Sequence, residues 1–290
     1  MAQPPPADRE AISTSVTVSK RDGSQETIFQ SKHFCGSDAD VTIISNDDVR
    51  FQLHKKNLAF CTGGFPPVEF SKTSDEREEV NLSERGYILD LLFHFVYPQR
   101  YPNLATIHID VLSELAEAAE KYQVFGAISV CQAFMILQIP NHPIDVFAYA
   151  TWYDYLDIAD RVAPLVLGTP LNILAERLPP AAVTGWARYL VSWDTVRSKW
   201  TALILDSITA TSVQVDRPSM VQYTTTFCKN SRGSRALLTE LAKHMVPQTK
   251  LLDLAAAVVC NHCKSSYADN LIREAPTLYS QFAKFNTFLH

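Results

Sequence analysis

Short β-branched and alternating runs in the first half of the chain predict strands. Residues 40–44 form a compact β-branched run, and residues 49–53 alternate apolar and polar side chains after the turn-forming Asn-Asp-Asp at 46–48. Alternation with a period of two indicates a strand with one buried face, and Asn and Asp favour the tight turn between paired strands. We therefore predict a hairpin over 40–53 and a third short strand at 79–82.

Apolar residues spaced three and four apart predict helices after these strands. Such helices are predicted at 86–97, 111–122 and 128–137. A further helix is predicted to begin near Glu26, ahead of the hairpin, and to carry Ile28, Phe29 and Phe34. Strands followed by packed helices indicate an α+β unit with a short three-stranded sheet, ending near Ile139.

The second half of the chain has a helical pattern throughout. The segment Asn-His-Pro at 141–143 breaks the chain, and no convincing strand run follows it. Trp186, Trp193 and Trp200 recur every seven residues, so they share one face of a helix. This face is expected to be a core or a seam between domains, with a platform for stacking a ligand as the alternative.

Three regions follow from these patterns. Residues 1–25 are rich in Pro, Ser, Thr and alternating charges with little periodicity, which predicts a disordered arm. An α+β domain is predicted over 26–139, and an all-helical domain over 140–290.

Composition limits the classes of function. The chain has 47% hydrophobic and 20% charged residues, and its net charge of −5 argues against a bulk electrostatic grip on nucleic acid. No apolar run approaches the length that spans a bilayer, and the N-terminus lacks the apolar segment of a secretory signal. We expect an intracellular protein of the cytoplasm or nucleus, whose six cysteines are reduced.

The sequence shows little catalytic or metal-binding chemistry. Phosphate-binding, nucleophile-elbow and zinc-protease motifs are missing from it, so we do not expect an enzyme. Cys260 and Cys263 have the C-x-x-C spacing of half a zinc site, which Cys228 and His244 would have to complete. Two ordinary cysteines on a helix are the alternative, and we expect no metal and no other cofactor.

Five sequence blocks resemble the BTB/POZ family, and its fungal branch in particular. They are DVTI at 40–43, FQLHK at 51–55, VNLS at 80–83, LLFHFVY at 91–97 and AAEKYQV at 118–124. The resemblance covers about residues 26–139, with the blocks in the family's order. It implies a BTB/POZ domain that works by contact with other proteins and needs no catalytic residue.

The resemblance also implies a homodimer. Members of the family commonly dimerise through the first helix and hairpin, where this chain has Ile28, Phe29 and Phe34. Asp40 and Lys55 match the acidic and basic positions of a charged pocket at that interface. A strand-end cap for Asp40 and a solvated helix start for Lys55 remain the alternative.

Many family members bind a cullin scaffold and present a substrate held by their other domain. Related adaptors use a hydrophobic-x-Glu element in the loop before the third strand, and this chain has Pro67, Val68 and Glu69 there. Phe65 and Phe70 are candidate anchors in the same loop, although loop aromatics also pack on their own core.

These observations predict an adaptor for protein–protein interaction that homodimerises through a BTB domain, with a role as a substrate adaptor of a cullin-type ubiquitin ligase. The expected partners are a second copy of the chain, a cullin scaffold and a further protein, with no nucleic acid or membrane. The alternative is a zinc-stabilised nuclear transcriptional regulator assembled by its BTB domain.

Overall fold

A computed structural model describes residues 11–19, 25–65, 78–213 and 284–289 of the chain. The chain divides into two units, 1–142 and 143–290. This division falls three residues beyond the end of the α+β domain expected from the sequence.

The first unit contains a five-stranded mixed sheet rather than the three strands predicted. Its strands are β1 (Ser13–Ser19), β2 (Gln25–Cys35), β3 (Val41–Ile44), β4 (Val49–Leu53) and β5 (Glu78–Asn81). Their order in the sheet is β1-β2-β4-β3-β5. The pairs β1·β2 and β3·β4 are antiparallel, whereas β2·β4 and β3·β5 are parallel.

Two predictions at the N-terminal end are wrong. The segment expected to be a helix from Glu26 is strand β2, and Ser13–Ser19 of the arm expected to be disordered is strand β1. The sequence of β1 alternates small hydroxyl residues with Val, which suits a strand once a partner is present. Because β2 pairs with β1 on one side and with β4 on the other, sheet formation decides its conformation.

Four α-helices and a 3-10 helix, Leu104–Thr106, lie among the described residues of the first unit. The α-helices are α1 (Lys55–Cys61), α2 (Gly86–Phe93), α3 (Ile109–Lys121) and α4 (Phe125–Leu137). Helix α2 is buried on almost every side, including Leu89, Leu92 and Phe93. The alternating apolar residues of β4, Phe51 among them, are also fully buried. This arrangement confirms the α+β class predicted for the unit.

The elements described in the second unit are all helical. They are α5 (Pro143–Trp152), α6 (Leu156–Val162), α7 (Leu171–Ala175), α8 (Pro180–Val213) and two 3-10 helices, Ala163–Leu165 and Phe285–Phe288. Among the helices described in both units, none is long and apolar enough to cross a membrane.

An aromatic cluster forms the core of the second unit. Trp186 is fully buried, with its ring centroid 5.2 Å from that of Phe147 and 5.9 Å from that of Phe285. Trp193 is buried on the same helix, as the core interpretation of the tryptophan repeat predicts. The side chain of Trp200 lies outside the described residues.

Candidate interaction surfaces

The three apolar residues predicted for the dimer interface have different environments on β2. Ile28 and Phe29 are half-buried, whereas Phe34 is only 5% exposed. The ring of Phe34 packs edge-on against Phe93 and His94, with centroid distances of 5.9 and 5.2 Å. Phe34 therefore belongs to the core of its own chain and presents little surface to a second copy.

Asp40 and Lys55 do not form an ion pair with each other in this structure. The carboxylate of Asp40 accepts a hydrogen bond of 2.7 Å from the main-chain N–H of Lys55, at the first residue of α1. The Nζ of Lys55 instead lies 2.8 Å from a carboxylate oxygen of Glu78 on β5. Asp40 thus accepts a hydrogen bond from one of the free N–H groups at the start of α1. This capping role is close to the strand-end cap that was the sequence-based alternative for Asp40.

Strand β1 forms one edge of the sheet, which the sequence did not indicate. Within the part of the chain that the structure describes, β1 is paired with β2 alone. Residues 14–17 are exposed, and the seven residues of the strand carry no charged side chain. Natural edge strands usually have charges, prolines or bulges that discourage pairing with another chain. The edge at β1 therefore has the features of a strand that can accept a partner.

The block at 118–124 anchors the turn before α2. Glu84, in that turn, accepts hydrogen bonds of 2.6 Å from Lys121 Nζ and 2.5 Å from Tyr122 Oη. Burial alone would raise the pKa of Glu84, but these two hydrogen bonds, the charge of Lys121 and a main-chain hydrogen bond together lower the pKa below its usual value. Burial, together with the hydrogen bond to Glu84, raises the pKa of Tyr122 to about 12.

The same block holds the start of the loop predicted to bind a cullin. Thr62 forms an isolated bridge with Val124, and the Gly64 N–H donates to the Tyr122 carbonyl at 3.0 Å. Phe65 then stacks on the ring of Tyr122, with centroids 4.5 Å apart and an interplanar angle of 17°. Phe65 is half-buried, so it resembles a loop aromatic packed on its own core more than a free anchor. The other predicted contacts, Val68, Glu69 and Phe70, lie outside the described residues.

Exposed aromatic side chains flank this bridge. Phe60 on α1 is 89% exposed, and Phe125, which directly follows Val124, is 59% exposed. Phe125 lies close to Gly63, and the exposed Tyr101 lies close to Gly126. A β-carbon added to either glycine would be 3.3 Å from its neighbour, from Cζ of Phe125 in the first case and from Oη of Tyr101 in the second. We call Phe60, Tyr101 and Phe125 the aromatic surface. Sequence reasoning missed it because Phe60, Tyr101 and Phe125 lie far apart along the chain, so no local pattern groups them.

The zinc ligands considered from the sequence cannot be located in this structure. Cys228, His244, Cys260 and Cys263 all lie outside the described residues.

A different group of ligand-type side chains does come together. One ring nitrogen of His33, a carboxylate oxygen of Asp90 and one ring nitrogen of His94 lie within 4.8 Å of one another. Among the described residues this is the one such group of three histidine, cysteine or acidic side chains. Asp90 lies on α2 and is buried, and burial raises the pKa of its carboxyl group although the hydrogen bond from His33 opposes this shift.

Comparison with known proteins identifies the class of the first unit. Residues 29–139 match the family model of the BTB/POZ domain. The first unit therefore contains a BTB/POZ domain, which is a module for protein–protein interaction. A search of curated proteins finds no matching relative for the chain.

Proposed function

We propose that this protein acts inside the cell as an adaptor that homodimerises through its BTB domain and serves a cullin-type ubiquitin ligase, as many members of the family that its sequence resembles do. Protein–protein interaction is the general function of BTB domains, which are generally not enzymes. The observation that carries the dimer is the uncharged, exposed edge at β1.

Edge-to-edge pairing of two copies would use this strand directly. The β1 edge offers main-chain donors and acceptors over seven residues, and two antiparallel copies of one strand satisfy each other symmetrically. Val16, which is 44% exposed, would lose water contact in such a pair. Ile28 and Phe29 on the neighbouring strand are half-buried and would extend the apolar contact.

Light scattering of the full chain tests the dimer. At micromolar concentration the wild type is expected to show twice the chain mass, and Val16→Lys is expected to raise the dissociation constant at least about tenfold, or about 1.4 kcal/mol. Val191→Lys is the matched control, because Val191 is 68% exposed on α8 in the second unit. A monomeric wild type would refute the dimer, and an equal effect of both substitutions would refute the β1 edge.

The aromatic surface supports the ligase role. Exposed aromatic side chains are common anchors of interfaces, because they bury a large area with few rotatable bonds. Phe60 and Phe125 flank the bridge at which the predicted cullin-binding loop begins. Because Phe65 stacks on Tyr122, its role is to hold the loop, and Phe60 and Phe125 make the contact with the cullin.

A binding assay between the full chain and the N-terminal region of a fungal cullin tests this role. Phe60→Ala and Phe125→Ala are each expected to weaken binding by about 30-fold, the loss typical of a hot-spot aromatic. Leu137→Ala is the control: this side chain is 66% exposed at the other end of α4, about 18 Å along the helix from Phe125. Wild-type protein that fails to bind at tens of micromolar would remove the ligase role and leave the dimeric adaptor.

A further inference from the structure

We propose that His33, Asp90 and His94 form a binding site for a divalent transition metal ion of the zinc type, which ties strand β2 to helix α2. Two imidazoles and one carboxylate are a donor set that zinc and related metals use, with three protein ligands and one position left for water or another ligand. His33 lies 57 positions before Asp90 and 61 positions before His94 in the sequence, so only the fold brings it to the other two residues.

His94 is already held as a metal ligand would be. The Nδ1 of His94 donates a hydrogen bond of 2.7 Å to the main-chain carbonyl of Asp90, which fixes the tautomer and leaves the lone pair on Nε2. Metal-bound histidines usually donate their other ring N–H to such a carbonyl or carboxylate. The Nδ1 of His33 lies 3.0 Å from both carboxylate oxygens of Asp90, and the metal ion takes the place of the proton between them.

The strand is irregular where it supplies His33. The parallel register of β2 and β4 shifts between Gln30 and Cys35, so the segment between them leaves the regular ladder. Ser31 Oγ accepts hydrogen bonds of 3.2 and 3.1 Å from the main-chain N–H groups of His33 and Phe34, and it stabilises this irregular segment of the strand. Irregularities of this kind redirect side chains, and here His33 points towards Asp90 on the adjacent helix.

The dimensions of the group suit a metal ion after small shifts of the ligand atoms: His33 Nδ1 and the Asp90 carboxylate, 3.0 Å apart, separate slightly, whereas donor atoms nearer the 4.8 Å limit move closer together. Ligand atoms about 2.0–2.1 Å from a tetrahedral zinc ion lie about 3.4 Å from one another. The donor atoms lie within 4.8 Å, and the His33 side chain is 50% exposed and free to adjust. Asp90, by contrast, is 5% exposed, so a bound cation would compensate this buried carboxylate more fully than the half-exposed His33, the hydroxyl of Ser31 and the nearby His94 do.

Titration of the metal-free full chain with zinc, followed by calorimetry and thermal unfolding, tests the site. Wild-type protein is expected to bind about one zinc ion at this site and to unfold at a higher temperature when zinc is bound. His33→Gln and His94→Gln are each expected to weaken binding at least about tenfold, because loss of even an outer-shell partner typically has that effect. His33 is half-exposed, so its substitution spares the core.

Two controls make the assignment specific. His108→Gln removes another histidine beside a carboxylate, since His108 Nδ1 lies 3.1 Å from Asp110 on the surface, and zinc binding is expected to be unchanged. The double variant Cys260→Ser, Cys263→Ser is expected to keep the site, and the cobalt-substituted protein is expected to lack a thiolate charge-transfer band. Zinc binding that is absent in the wild type, that survives both His33→Gln and His94→Gln, or that is lost in the cysteine variant would overturn the proposal.

Discussion

Replacement of Phe34 by Ala distinguishes a core residue from a dimer-interface residue. The side chain is 5% exposed and contacts five aromatic rings, with centroid distances from 5.2 Å to His94 up to 6.4 Å to His33. Truncation of a buried Phe costs about 3–5 kcal/mol through lost burial and the cavity left behind. We therefore expect Phe34→Ala to lower the free energy of unfolding of the first unit by about 3–4 kcal/mol, or its midpoint by roughly 10 °C.

The assay is chemical unfolding of the full chain at two protein concentrations tenfold apart. Phe29→Ala is the matched control on the same strand; because Phe29 is half-buried, we expect a loss of only about 1–2 kcal/mol. A core role for Phe34 predicts the same loss of unfolding free energy at both protein concentrations. The loss caused by replacing an interface residue would instead change with concentration, because it acts through the monomer–dimer equilibrium. A loss below about 1 kcal/mol, with dissociation of the dimer, would refute the core assignment.

Two further predictions concern stability. The pKa of Glu84 in the fold lies below its ordinary 4.5, so this carboxylate stabilises the protein fully above pH 4.5 and less as the pH falls through the folded pKa. Glu84→Gln should therefore lower the free energy of unfolding by about 1–2 kcal/mol at neutral pH and reduce its dependence on pH in the acid range. An unfolding series over pH with an unchanged slope would contradict this. Gly185→Ala should destabilise the second unit by about 1–3 kcal/mol, because a β-carbon at this position would lie 2.9 Å from the Phe288 carbonyl oxygen. Thr184→Ala, at an exposed neighbouring residue, is the control and should change the midpoint of thermal unfolding little. Equal midpoints for the two variants would exclude the close contact at Gly185.

The sequence alone determined the elements whose signals are local. The hairpin of β3 and β4 follows from alternation and from the Asn-Asp-Asp turn, in which Asp48 adopts a positive φ of 65° that Asp tolerates. Helices α2, α3 and α4 follow from the helical spacing of their apolar residues, and the five blocks in the family's order indicated the domain. These signals lie within a few residues of one another, so they can be recognised without knowledge of the fold.

The N-terminal strands show what local signals miss. Ile28 and Phe29 fit one turn of a helix as well as a strand, and nothing nearby in the sequence decides between them. The parallel pairing of Phe29 with Val49 decides it, across twenty positions of the chain. Sheet pairing satisfies the main-chain groups of β2 on both sides, and this non-local gain outweighs local preference.

The candidate sites depend on tertiary structure for the same reason. Phe34 is an apolar residue in any reading of the sequence, but only the packing of β2 on α2 makes it part of the core. His33 and Asp90 have no sequence relation to each other, yet the register shift in β2 places them 3.0 Å apart. Period and turn chemistry determine the elements whose signals are local, whereas contacts between distant elements decide the conformation of β2 and which side chains are buried, exposed or able to share a ligand.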